Sequence, residues 1–215
     1  MIEFDNVSLM INNTRIIEDV NFDVRKGEFV FLVGPSGAGK SSILRLIHCD
    51  LFPTLGNVIV QGENTKKVPK RKIPFLRRTI GNIFQDYKLL KNKTAYENVA
   101  FTLEVTGTKR KIIKQKTLQA LNTVGMAHRL THFPGDLSGG ECQRVAIARA
   151  IVQEPFILLA DEPTGDLDGE SSWAILELLE KINLSGTAIL MATHKNEFSG
   201  VGSSRIIKIS AGRIV

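Results

Sequence analysis

Cysteine is scarce in this chain. There are two, Cys49 and Cys142, and their spacing is not that of a metal site. That excludes a disulfide framework and a thiolate-held metal cluster, and both are read as reduced structural thiols. Long apolar runs are missing as well, since none approaches the ~18 residues that a membrane-spanning helix needs. The first ten residues, MIEFDNVSLM, carry acids and no basic stretch, so no secretory leader is expected and the chain is placed in the cytoplasm. Aromatics make up 7% of the residues, with one tryptophan. No internal repeat and no low-complexity linker interrupts the chain.

What remains is an ordinary globular composition, 43% hydrophobic and 23% charged, in 215 residues. This fits one large domain with a substantial core. The net charge is +6, with basic residues gathered at Lys66, Lys67, Lys70, Arg71 and Lys72 and again at Lys109, Arg110, Lys111, Lys114 and Lys116. Such clusters fit a solvated surface or attraction to an anionic membrane face. Neither is interleaved with aromatics, which argues against nucleic acid as a partner.

The strongest local pattern is Gly34-Pro35-Ser36-Gly37-Ala38-Gly39-Lys40-Ser41. It matches the phosphate-loop pattern G-x-x-x-x-G-K-[ST] at every fixed position. It also falls between an apolar run (29–33) that reads as a strand and a segment from Ser42 onward that reads as a helix. Glycines let the backbone wrap closely and turn its N–H groups inward. Lys40 supplies a charge for the β- and γ-phosphates, and the Ser41 hydroxyl is suited to Mg²⁺. The helix that follows adds the partial positive charge of its N-terminus.

Two further segments bear on the chemistry. The apolar strand 156–160 ends in Asp161 and Glu162. Asp161 is suited to holding Mg²⁺ through water, and Glu162 to activating an attacking water as general base. The segment Leu137-Ser138-Gly139-Gly140-Glu141 opens a long helix (139–153) with Ser138 as a good N-cap. Its two glycines leave a bare helix N-terminus, a second place for an anion. Two anion sites about a hundred residues apart point to a nucleotide held between two copies of the chain.

Strands are expected at 2–9, 15–24, 28–33, 57–61, 80–84, 156–160, 187–192, 205–209 and 213–215. Helices are expected at 40–48, 94–103, 109–124, 139–153 and 169–182. Asn12-Asn13 supplies the first turn. The pattern describes an α/β nucleotide-binding core with an N-terminal antiparallel β subdomain. A helical insertion at roughly 88–138 extends into the helix 139–153.

Taken together, these residues resemble the ABC-type ATPases, the nucleotide-binding subunits of ABC transporters, over essentially the whole length. The resemblance rests on the phosphate loop, Gln85 after the strand 80–84, LSGGE at 137–141, LLADEP at 158–163, Gly165-Asp166-Leu167-Asp168, and His194 after the strand 187–192. It implies ATP and Mg²⁺ as ligands and an ATP-dependent homodimer. The residues 34–42, with Ile11 and Gln85, would hold the nucleotide, while Ser41, Gln85 and Asp161 would attend the metal. Gln85 would also sense the membrane partner. Glu162 and His194 would be catalytic, with His194 touching the γ-phosphate. Ser138, Gly139, Gly140 and Glu141 would meet the nucleotide of the opposite subunit, and Asp168 would help communicate across the dimer.

Pro74-Phe75-Leu76-Arg77-Arg78, Ile80 to Asp86 and Leu89-Leu90 are similar to the cell-division branch of that family, the FtsE type. That resemblance implies an integral membrane partner of the FtsX type, a place on the inner face of the cell membrane, and signalling to cell-wall hydrolases during septation. Other division proteins are possible partners. Lipoprotein-release and macrolide-export ATPases share most of these motifs, and a nucleotide-dependent scaffold is a further alternative. The chain ends soon after its last expected strand, leaving no room for a C-terminal regulatory domain. Two positions depart from the family pattern. Ile11 stands where an adenine-stacking aromatic is usual, and Cys142 where a polar residue is usual.

Overall fold

A computed structural model describes residues 1–194 and 204–215. It opens with a hairpin of β1 (Ile2–Ile11) and β2 (Thr14–Val24). Ile11 faces Thr14 across the two-residue turn, and Asn12 and Asn13 have φ of 46° and 60°. Two successive left-handed residues match the twist of the strands they join, and asparagine tolerates that conformation better than most residues. β4 (Leu55–Val60) joins the other edge of β1, and the two-residue β5 (Glu63–Asn64) completes an antiparallel sheet in the order β2-β1-β4-β5.

The second sheet contains β3 (Phe29–Val33), β6 (Ile80–Phe84), β7 (Ile157–Asp161), β8 (Ala188–Thr193), β9 (Arg205–Ser210) and β10 (Arg213–Ile214). Their order is β10-β9-β3-β8-β7-β6, parallel throughout except for the edge strand β10. Alternate residues of the central strands enter different cores. Phe31, Leu158, Ala160, Ile189 and Met191 pack towards α3 (Ala95–Glu104), α4 (Arg110–Thr123), α5 (Gly139–Ile151) and α6 (Gly169–Leu184). Val30, Leu32, Ile157, Leu159 and Leu190 pack towards α1 (Lys40–Ile47) and the antiparallel sheet. With both faces covered, these strands have no solvent side, which is why they read as unbroken apolar runs.

Expected and observed boundaries differ by one or two residues at most elements, the usual consequence of fraying ends. One helix and one strand have no counterpart in the expectation. α2 (Ile73–Arg78), entered through a 3₁₀ turn at Lys70–Lys72, contains no buried residue and so shows no apolar stripe. β5 is too short to show a period.

Candidate active site

The parallel register sets Val33 beside Thr193, Asp161 beside Ala192, and Phe84 beside Asp161. The carboxyl ends of β3, β6, β7 and β8 therefore lie along one edge, where open α/β sheets bind ligands. They surround a cleft of about 1150 Å³ lined by Pro35, Ser36, Gly37, Gly39, Lys40, Ser41, Ser42, Gln85, Asp161, Glu162 and His194, together with Ile16 and Asp166.

Gly34 and Ala38 shape the loop from behind. A Cβ on Gly34 would lie 2.1 Å from the Ile209 carbonyl oxygen, so only glycine lets β9 approach. Gly39 has φ of 104°, and a side chain there would also strike Ile17 Cδ1 at 2.7 Å. Ala38 is buried in the core.

Lys40 is 6% exposed, and its ammonium donates to the carbonyls of Gly34 (2.8 Å) and Pro35 (3.1 Å). It also lies 3.4 Å from Glu162 Oε1. Ser41 Oγ donates to Asp161 Oδ1 at 3.0 Å. Burial pushes the Asp161 carboxyl above its ordinary pKa, with the Ser41 hydrogen bond opposing that shift. A hydroxyl and a desolvated carboxylate at the end of a phosphate loop form an oxygen pair that a hard cation would stabilise. Among the described residues no group of three or more His, Cys, Asp or Glu side chains could hold a metal unaided.

Glu162 has φ of 47°, the left-handed region, which costs a residue with a Cβ about 1 kcal/mol or more. It is held there by Glu162 N donating to Ala192 O (3.0 Å) and Gly165 N donating to Glu162 O (2.9 Å). Its Oε2 lies 2.8 Å from His194 Nδ1. Gln85 Nε2 donates to Asp166 Oδ1 at 2.9 Å, and a side chain on Gly165 would press on the Gln85 amide at 3.0 Å. Gln85 thus lies against the turn that follows Glu162.

Ser138, Gly139, Gly140, Glu141 and Asp168 are not part of this cleft lining. They form a separate group at the start of α5. Ser138 Oγ accepts from Glu141 N (3.2 Å), and Glu141 Oε2 accepts from Ser138 N (2.9 Å), a complete capping box. That backbone hydrogen bond, with Arg129 adding to it, holds the Glu141 carboxyl below the ordinary glutamate value. Asp168 caps α6 through Ser171 N (2.8 Å). A Cβ on Gly139 would touch Leu167 Cδ2 at 3.3 Å, so the two segments adjoin.

Ile11 also falls outside the lining, and the hydrophobic residue at that edge is Ile16. The reason is the tight Asn12-Asn13 turn. It sends the chain straight back, so it is β2 at Ile16 and Ile17 that crosses the phosphate loop. Ile16 carried no signal in the sequence beyond its place in an alternating strand. Cys142 is buried, its thiol within 3.5 Å of Pro134 O, and burial raises its pKa, as expected of an inert structural thiol.

Residues 17–165, more than half of the chain, match the ABC transporter family. The cell division ATP-binding protein FtsE of Streptococcus pneumoniae strain D39 is 48% identical over 98% of this chain and 92% of its own length. The protein of that name from Mycobacterium tuberculosis is 46% identical over 100% and 94%, and that from Escherichia coli K12 is 43% identical over 100% and 97%. Among solved structures, a dimeric post-hydrolysis state of the ATP-binding cassette MJ0796 bound to ADP and Pi superposes with a TM-score of 0.88 at 33% identity, covering 100% of this chain and 96% of that one. CbiO1 from Clostridium perfringens, part of the ABC transporter complex cbiONQ, gives 0.92 at 26% identity over 100% and 86%. With its phosphate loop, its paired carboxylates and its capped glycine-led helix in place, this chain belongs to the ABC transporter family of ATP-binding ATPases, in the FtsE-type branch.

Proposed function

We propose that this chain is the ATP-hydrolysing subunit of a membrane complex in cell division. In this reading, two copies close on two ATP molecules, coupled to an integral membrane partner of the FtsX type that signals to cell-wall hydrolases during septation. The observation that carries the reading is the convergence of Lys40, Ser41, Gln85, Asp161, Glu162 and His194 on one cleft, with the α5 N-terminus standing outside it.

The residues divide the work. The N–H groups of residues 34–42 and the N-terminus of α1 cradle the phosphates, and Lys40 neutralises them. Ser41 and Asp161, with Gln85 lining the same cleft, would hold Mg²⁺, which would supply charge neutralisation to the phosphates. Glu162 accepts the proton of the attacking water, and His194 orients that carboxylate through the 2.8 Å contact. Ser138 and Gly140 offer their first-turn donors to the phosphate bound by the other copy, and Asp168 lies beside them at the same surface. Most of the rate enhancement then comes from positioning and charge stabilisation.

The cell-division names of the relatives favour septation over lipoprotein release or macrolide export. Likeness to a cassette in a post-hydrolysis state favours turnover over a nucleotide-dependent scaffold. No helix among the described residues is long and apolar enough to cross a membrane, and the reading places the chain on the inner face, held by its partner. Mass spectrometry of proteins that co-purify from native membranes with a tagged Glu162→Gln chain in Mg·ATP tests the assignment. An FtsX-like protein accompanied by division proteins is expected. A lipoprotein-release or efflux permease in its place would overturn the cell-division part.

A further inference from the structure

Gln143, on the second turn of α5, is 0% exposed. Its Nε2 donates to the carbonyl oxygen of Pro163 at 2.8 Å, and its Oε1 has no hydrogen-bond partner. Burying an amide whose carbonyl oxygen has no partner is unfavourable, so a core position of this kind would ordinarily be apolar. The bond it does make is to the residue directly after Glu162.

Glu162 sits in a left-handed conformation that persists only where its surroundings over-determine it. Ala192 O holds its N–H from β8, and the turn to Gly165 holds its carbonyl. Pro163 has no N–H, and its ring fixes φ, so its carbonyl is the only backbone hydrogen-bonding group through which this residue can be anchored. Gln143 takes that group. It lies one helical turn beyond Gly139 and Gly140, where α5 begins, and so ties the start of α5 to the peptide that follows Glu162.

We infer that Gln143 is a positioning residue for Glu162, and that through it α5 couples the anion site at its N-terminus to the catalytic carboxylate of the same chain. The inference rests on Glu162 being the general base. It makes each Glu162 responsive to the nucleotide bound by the other copy, since that nucleotide meets this α5 and not this chain's own cleft.

Steady-state hydrolysis and nucleotide binding by full-length Gln143→Leu and Gln143→Glu, compared with the unaltered chain and with Glu162→Gln, test it. Leucine fills the space without a donor. The expected result is a fall in kcat of about tenfold, the scale of one misplaced hydrogen bond, with ATP affinity within about twofold because Gln143 is not in the cleft lining. Glutamate at 143 can donate to Pro163 O only when protonated, so Gln143→Glu should regain activity relative to the unaltered chain as pH falls from about 8 to about 6, where a buried carboxyl takes up its proton. A merely structural role would lower thermal stability without splitting kcat from affinity and without that pH recovery. If Glu162→Gln is inactive while Gln143→Leu keeps normal kcat, the positioning role alone is overturned. If Glu162→Gln hydrolyses ATP normally, the general-base reading fails and this inference fails with it.

Discussion

The Lys40 ammonium lies 3.4 Å from Glu162 Oε1, which pairs the cation proposed to bind phosphate with the carboxylate proposed as general base inside one cleft. Lys40 is almost wholly buried, so its remaining partners are two backbone carbonyls of its own loop. An incoming phosphate competes for the same ammonium. Lys40→Ala is expected to weaken ATP binding by roughly a hundredfold or more, from the ~3 kcal/mol of a buried charged hydrogen bond. Titration with a fluorescent nucleotide measures it, and near-normal affinity would remove Lys40 from the phosphate site.

His194 acts on the other oxygen of the same carboxylate, at 2.8 Å. His194→Ala should therefore lower kcat, by about 10- to 100-fold on the scale of general acid–base effects, and change KM much less. A loss confined to KM would assign His194 to binding alone.

Glu141 carries a pH dependence whose direction follows from its hydrogen bonds. The fold lowers its pKa, chiefly through Ser138 N and then through Arg129, so the ionised carboxylate is the stabilising form. That contribution is complete above the glutamate pKa of the unfolded chain and is lost as pH falls through the lower value of the folded chain. Glu141→Gln should flatten the acid side of the profile of Tm against pH. Ser138→Ala removes the cap itself and should cost about 1 kcal/mol at neutral pH, measured by denaturant unfolding.

Gly34 is held by sterics rather than by φ. A methyl group there would collide with Ile209 O at 2.1 Å, and because that neighbour is backbone it cannot swing aside. Gly34→Ala is expected to destabilise the chain by about 3 kcal/mol, with ATP binding lost as the loop is displaced from β9. An unchanged Tm would show that β9 yields more easily than the geometry implies.

The parallel sheet was legible because its strands are buried on both faces, which leaves runs such as Phe29–Val33 and Ile157–Ala160 with no polar interruption. The phosphate loop, Asp161 and Glu162 were legible because their chemistry needs fixed residue types at fixed spacing. Gln85 and His194 were legible only by resemblance, since a lone polar residue at a strand end has no local signature. Gln143 and Ile16 were not legible at all. Each owes its place to a tertiary contact, with Pro163 and with the phosphate loop respectively, and nothing in the neighbouring sequence marks it. Asp166 was legible only as part of the motif 165–168, since its bond to Gln85 is a tertiary contact. α2 was missed for the opposite reason, being a helix with no buried face.

The central claim is that two chains close on ATP and that Glu162 reopens them by hydrolysis. Analytical ultracentrifugation of Glu162→Gln with and without Mg·ATP, alongside its turnover rate, tests this most directly. An ATP-dependent dimer that persists and a kcat lower by about 10²-fold or more are expected. A chain that stays monomeric in Mg·ATP while hydrolysing it at the normal rate would contradict both halves of the claim.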